Sequence, residues 1–182
     1  MSEICEKAYE ELKKAVAKNN SGKIEIENHI NEMLKWVDFL LEEYPNIDCE
    51  VVKIAVYLHD IGHFLPGEED HAVLSENFAA GFLEKNNYPK TKEALHCVRA
   101  HRNRDVIPKT LEAKAVTVAD SLSHISNGVY WVMIKEGQAL EKVVGKIKRD
   151  YRDLSFFPKI QTKMENICVA WEKIVVEYQK IL

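Results

Sequence analysis

At 182 residues, with 46% hydrophobic and 30% charged side chains, the chain can bury a full core without staples and is too short for a second large domain. Twenty-five Lys and Arg against 29 Asp and Glu leave a formal charge of -4, which excludes a global positive field for nucleic-acid duplexes and leaves any anionic ligand to be held by local charge. Seven glycines and five prolines are too few for the turns of a sandwich or barrel, so a single all-α domain over 1–182 is expected, its core at about 24–126.

Ile4, Ala8, Leu12, Ala15 and Val16 recur at helical spacing and predict a leading helix over 3–19, stopped by Asn19-Asn20-Ser21-Gly22. Ile26, Ile30, Met33, Leu34, Val37, Leu40 and Leu41 give a second helix its apolar face from about Ile24 to Tyr44-Pro45, with His29 in its first turns. Asp48 is placed to cap a third, whose Val51, Val52, Ile54, Ala55, Val56 and Leu58 are apolar nearly all round. Such a helix is central, and it runs into His59-Asp60-Ile61-Gly62-His63. After the loop Phe64-Leu65-Pro66-Gly67, a fourth helix at about 69–85 carries His71 in its first turn, and a fifth at about 91–100 delivers His101 at its end. A charged loop over 102–108 leads to a sixth, where Ala113, Ala115, Val116, Val118 and Ala119 surround Asp120 before Ser126-Asn127-Gly128 interrupts it. Two or three further helices are expected over 129–182, the last from about Pro158.

Cys5, Cys49, Cys97 and Cys168 are scattered, form no C-x-x-C and read as reduced core thiols, as in a cytoplasmic protein. The start Met1-Ser2-Glu3 has no basic stretch followed by an apolar run, so no secretory signal is expected. The longest apolar run, 129–134, is far below the ~20 residues of a membrane span. Trp36, Trp131, Trp171, Tyr57, Phe78 and Phe82 fall at helical spacing among apolar residues and are assigned to the core, with Tyr130 or Trp131 as an aromatic face for a base.

A carboxylate beside an imidazole at the end of an apolar helix, as in His59-Asp60, is costly to bury uncompensated. A plain buried hydrogen bond is one solution. A divalent cation is another, because imidazole and carboxylate are both ligands and the cation cancels the charge. His29, His71, His101 and Asp120 also fall where a helix faces or ends at the core, so six coordinating side chains can converge on the interior. His29, then His59-Asp60, then Asp120 form an H…HD…D series, with Leu58-His59-Asp60-Ile61-Gly62-His63 and Val118-Ala119-Asp120-Ser121-Leu122 as local contexts. Over roughly 24–126 the chain thereby resembles the HD-domain metal-dependent phosphohydrolase superfamily, an all-α helical bundle with its metal site between core helices. His71 in Asp70-His71-Ala72-Val73 and His101 in Ala100-His101-Arg102 resemble the extra histidines of its two-metal members.

The resemblance implies that His29, His59, Asp60 and Asp120 bind one metal, while Asp60 bridges to a second held by His71 and His101. Two divalent cations against two carboxylates leave such a site about two charges positive, enough to attract a phosphate to an acidic protein. Imidazole-rich ligation suits Fe, Mn, Ni, Co or Zn better than Mg. The expected activity is hydrolysis of a phosphoester or phosphoanhydride bond in a nucleotide or another small phosphorylated metabolite, with the oligomeric state left open. Two rivals share the ligand set: an HD-type di-iron oxygenase, and a non-catalytic metal-bound sensor or interaction module.

Asp60, His63 and His124 are the candidate catalytic residues. His63 shares a face with His59 only if the helix continues past Gly62, so a cleft-lining role is favoured over ligation. His124, one turn after Asp120, is either a proton donor to the leaving group or an exposed helix-end histidine. Arg99, Arg102, Arg104 and Lys109 cluster around His101, either to grip a substrate phosphate or as a solvated charged loop, with Lys114 a weaker candidate. His96, five before His101, is assigned to the surface.

Overall fold

The computed structural model describes residues 2–19 and 23–181, and all the regular structure in them is helical. The chain divides into two compact units, Met1–Ala119 and Asp120–Leu182. The expected stop at Asn20-Ser21-Gly22 lies outside the described residues.

In the first unit, α1 (Glu3–Asn19), α2 (Lys23–Glu43), α4 (His71–Lys85) and α5 (Thr91–Ala100) all pack on α3 (Cys49–Leu58). Helix α3 is central for the reason its sequence gives: Val51, Val52 and every residue from Ile54 to Leu58 are buried. Asp48 starts it, its carboxylate accepting from the Glu50 and Val51 amides at 3.1 and 3.3 Å. Small residues on α5, Ala94, Cys97 and Ala100, let that helix lie close. Helix α1 contributes Cys5, Ala8, Leu12, Ala15 and Val16 to this core and sets Tyr9 against Tyr57, ring centres 5.1 Å apart.

After α3 the chain makes a 3-10 turn, Ile61–Phe64, that lies flat on the first turn of α4. Gly62 makes this possible: a Cβ there would stand 2.1 Å from the His71 carbonyl oxygen, and the Gly62 amide donates to Ser75 Oγ at 2.8 Å. Asp70 caps α4, accepting from the Ala72 amide at 2.9 Å. Helix α6 (Leu111–Asn127), capped by Thr110 Oγ1 on the Ala113 amide, begins in this unit, and the division between the units falls within it.

In the second unit, Gly128, at φ +78, ends α6 and admits α7 (Val129–Lys135). Helices α8 (Leu140–Asp153) and α9 (Pro158–Gln179) follow, all three packed on one another, with Pro158 in the first turn of α9 as expected. Tyr130, Val143, Ile147, Leu154, Ile160, Met164 and Cys168 are buried there.

Several core assignments are corrected. Cys49 is exposed because it opens α3 at the surface, while Cys5, Cys97 and Cys168 are buried free thiols. Trp36, Trp131, Trp171 and Phe78 are only half-buried, each lying where its helix meets solvent. Tyr130 is fully buried, so it offers no face to a base. No described helix is long and apolar enough to cross a membrane.

Candidate metal centre

Two helices of the first unit end on a histidine in the same way. His59 follows the last residue of α3, and its Nδ1 lies 2.9 Å from the Val56 carbonyl; His101 follows α5, with Nδ1 2.7 Å from the Val98 carbonyl. Carbonyls of a last helical turn lack an amide partner, so each takes the ring proton and leaves Nε2 of a neutral imidazole as the lone-pair nitrogen.

Both Nε2 atoms face Asp60, at 3.3 Å from His59 to Oδ2 and 3.5 Å from His101 to Oδ1. His29, buried on α2, places Nε2 3.2 Å from His59 Nε2 and 3.9 Å from Asp60 Oδ2. His71, the first residue of α4, lies 3.4 Å from Oδ1, and His63 of the 3-10 turn 3.8 Å from the same oxygen. Asp60 therefore shows one oxygen to His29 and His59 and the other to His63, His71 and His101. Two His/Asp donor groups meet on one carboxylate.

Lone pairs aimed at a carboxylate repel it unless a proton or a cation lies between. Burial alone raises the Asp60 carboxyl; positive charge on His59 first, then on His101 and His29, holds it well below the usual carboxylate range, and a cation among the lone pairs of neutral rings would supply that charge in their place. Burial also pushes His71 down, which favours its neutral ring. Neutral imidazoles around an ionised carboxylate are the donor set that a divalent transition metal takes, so the residues fit the implied ions.

His59 and His101 are almost fully enclosed, whereas the His63 side chain is 52% exposed and stacks on His71, ring centres 3.8 Å apart. Asp60, His63 and His71 each offer a ligand atom within 4.8 Å of the others. Behind His71, Asp70 Oδ1 stands 3.8 Å from Nδ1, and Arg102 holds Asp70 at 2.7 and 2.9 Å. Arg99 pairs with Glu76 and Asp105, and Arg102 also reaches Asp105, so two arginines at the loop after His101 are held by carboxylates. Arg104 and Lys109 are exposed. His96, assigned to the surface, is half-buried, its Nε2 accepting from the Lys109 amide at 2.9 Å to tie that loop down.

In the second unit, Asp120 is 9% exposed and sets Oδ1 3.5 Å from His124 Nε2. His124 is not the exposed helix-end residue that its position suggested, since Lys146 and Asp150 flank its Nδ1 at 3.0 and 3.5 Å. No sequence motif marks a role for Asp70, Lys146 or Asp150. Asp150 carried a legible signal, being a carboxylate on the apolar stripe formed by Val143, Ile147 and Leu154. Asp70 stood only as the residue before His71 in its local context.

A model of the HD domain matches residues 26–125. No curated protein and no solved structure matches the chain.

Proposed function

The chain belongs to the HD-domain family, and on that premise we propose that it is a metal-dependent phosphohydrolase that cleaves a phosphoester or phosphoanhydride bond of a small phosphorylated molecule, a nucleotide first among them. The observation that carries this reading is the division of Asp60 between two histidine sets. In the proposal, His29, His59, Asp60 and Asp120 hold one divalent ion, and Asp60, His71 and His101 hold the second. Asp120 is included as a buried carboxylate of α6 inside the matched span.

Bound there, two such ions would supply Lewis acidity toward a phosphoryl oxygen and would acidify a water for attack at phosphorus. Asp60 shares its single negative charge between the two groups, while the Val56 and Val98 carbonyls keep His59 and His101 turned inward. His63, at the exposed rim of the Asp60 Oδ1 group, is the better placed residue to pass a proton from Nε2 to the departing oxygen. His124 turns Nε2 toward Asp120 instead. Arg104 and Lys109, exposed on the loop after His101, are the proposed phosphate contacts. Arg99 and Arg102 come second, because carboxylates already engage them.

The test is phosphate release from a panel of nucleotides and phosphomonoesters by protein loaded with Mn, Fe, Co, Ni or Zn. Release that needs the metal and disappears in Asp60→Asn supports the reading. Dioxygen consumption without phosphate release supports the di-iron oxygenase instead.

A further inference from the structure

The second half of α6 and the middle of α8 build a part-buried polar relay that the proposed reaction does not use. Asp150, 5% exposed, accepts from Tyr130 Oη at 2.8 Å and lies 3.1 and 3.2 Å from Lys146 Nζ through its two oxygens. The same Lys146 nitrogen lies 3.0 Å from His124 Nδ1, and His124 Nε2 lies 3.5 Å from Asp120 Oδ1. Helical spacing makes the chain possible, since Asp120 and His124 are one turn apart on α6 and Lys146 and Asp150 one turn apart on α8.

An ammonium group has three donors and no lone pair, so Lys146 can approach Nδ1 to 3.0 Å only when that nitrogen accepts. The ring proton then belongs on Nε2, the nitrogen turned toward Asp120. Without the ammonium the preference reverses, because Asp150 Oδ2, 3.5 Å from Nδ1, would draw the proton to that side.

We infer that Lys146 is a positioning residue that fixes the Nε2–H tautomer of His124, so that His124 directs a proton at Asp120 Oδ1 and orients that carboxylate. The tautomer stands on the geometry of the second unit alone; its use rests on Asp120 being a metal ligand. Carboxylates that bind metals are oriented by such outer hydrogen bonds, and their loss weakens binding about 10- to 100-fold.

Nitrogen NMR of His124 in the full-length, metal-free protein tests the tautomer. The wild type should carry the proton on Nε2, Lys146→Met should shift it to Nδ1, and Lys146→Arg, which keeps a donor, should retain the wild-type state. A wild-type proton on Nδ1, or a Lys146→Met spectrum unchanged from wild type, overturns the inference. Where Lys146→Met does not fold, the wild-type tautomer decides alone. Cobalt binding against a competing chelator tests the use: Lys146→Met should bind about 10- to 100-fold more weakly with altered visible absorption, and Lys146→Arg should restore both. Equal affinity and identical absorption in wild type and Lys146→Met overturn the positioning role. Absence of cobalt binding by the wild type overturns the metal reading, and the nitrogen spectrum still decides the tautomer.

Discussion

Replacing Gly62 by alanine should separate the two donor groups that meet on Asp60. The added Cβ would lie 2.1 Å from the His71 carbonyl oxygen and 2.9 Å from both the His71 carbonyl carbon and the Ser75 amide nitrogen. Carbon and oxygen rest at roughly 3.3–3.6 Å, so the 3-10 turn and the start of α4 must part by more than about 1 Å. All three obstructing atoms are backbone, and no side-chain rotation relieves them. Overpacking of this kind costs about 1–3 kcal/mol, and the Gly62 amide bond to Ser75 Oγ is stretched as well. For a chain of this length that is a fall in Tm of about 3–10 °C. His71 rides on the displaced turn, whereas His29 and His59 stand on α2 and α3. Metal content after exhaustive dialysis should therefore drop from two ions per chain to one, and phosphate release should fall about a hundredfold, the usual consequence of an ångström of misplacement. A Gly62→Ala protein with the wild-type Tm and two retained ions would refute the reasoning.

Three further outcomes are expected. Asp60→Ala should abolish phosphate release and tight binding of both ions, measured by elemental analysis, because no water replaces the charge the carboxylate shares between the groups. Arg102→Ala should lower metal occupancy through Asp70 and His71, while Arg104→Ala should raise KM with kcat unchanged and Lys159→Ala, exposed on α9, should alter neither. Asp150, whose folded carboxyl lies below its unfolded value near ~3.9, contributes stability that is present above that pH and lost as pH falls through the folded value. The Tm gap between wild type and Asp150→Asn should accordingly be widest near neutrality and close in acid below about pH 4.

Helix type was legible wherever the apolar period was long. The all-apolar α3 and its Asp48 cap were readable because intrinsic pattern and tertiary placement agree there. His29, His59, Asp60, His71 and His101 were recognisable as a set because each is a donor at a helix end or core face, and the structure brings all five together in the first unit. What the sequence left hidden depends on contacts between elements far apart in the chain. Gly62 shows no sign of the His71 carbonyl it abuts, and Arg102 none of Asp70, 32 residues away. The cationic cluster at 99–109 was therefore open to two readings, and local pairing with Asp70, Glu76 and Asp105 is what binds two of its arginines. Asp150 differs, since a carboxylate on the apolar stripe of α8 is legible locally but lies beyond the H…HD…D series.

In the proposed reaction, two ions sharing Asp60 drive phosphate release. The most direct measurement is inorganic phosphate produced from a nucleotide by protein loaded with two equivalents of Mn, beside the metal-free chain and Asp60→Asn under the same conditions. Turnover is expected from the loaded wild type alone. Phosphate release by Asp60→Asn at the wild-type rate, or none by the loaded wild type with any nucleotide or phosphomonoester, would contradict it.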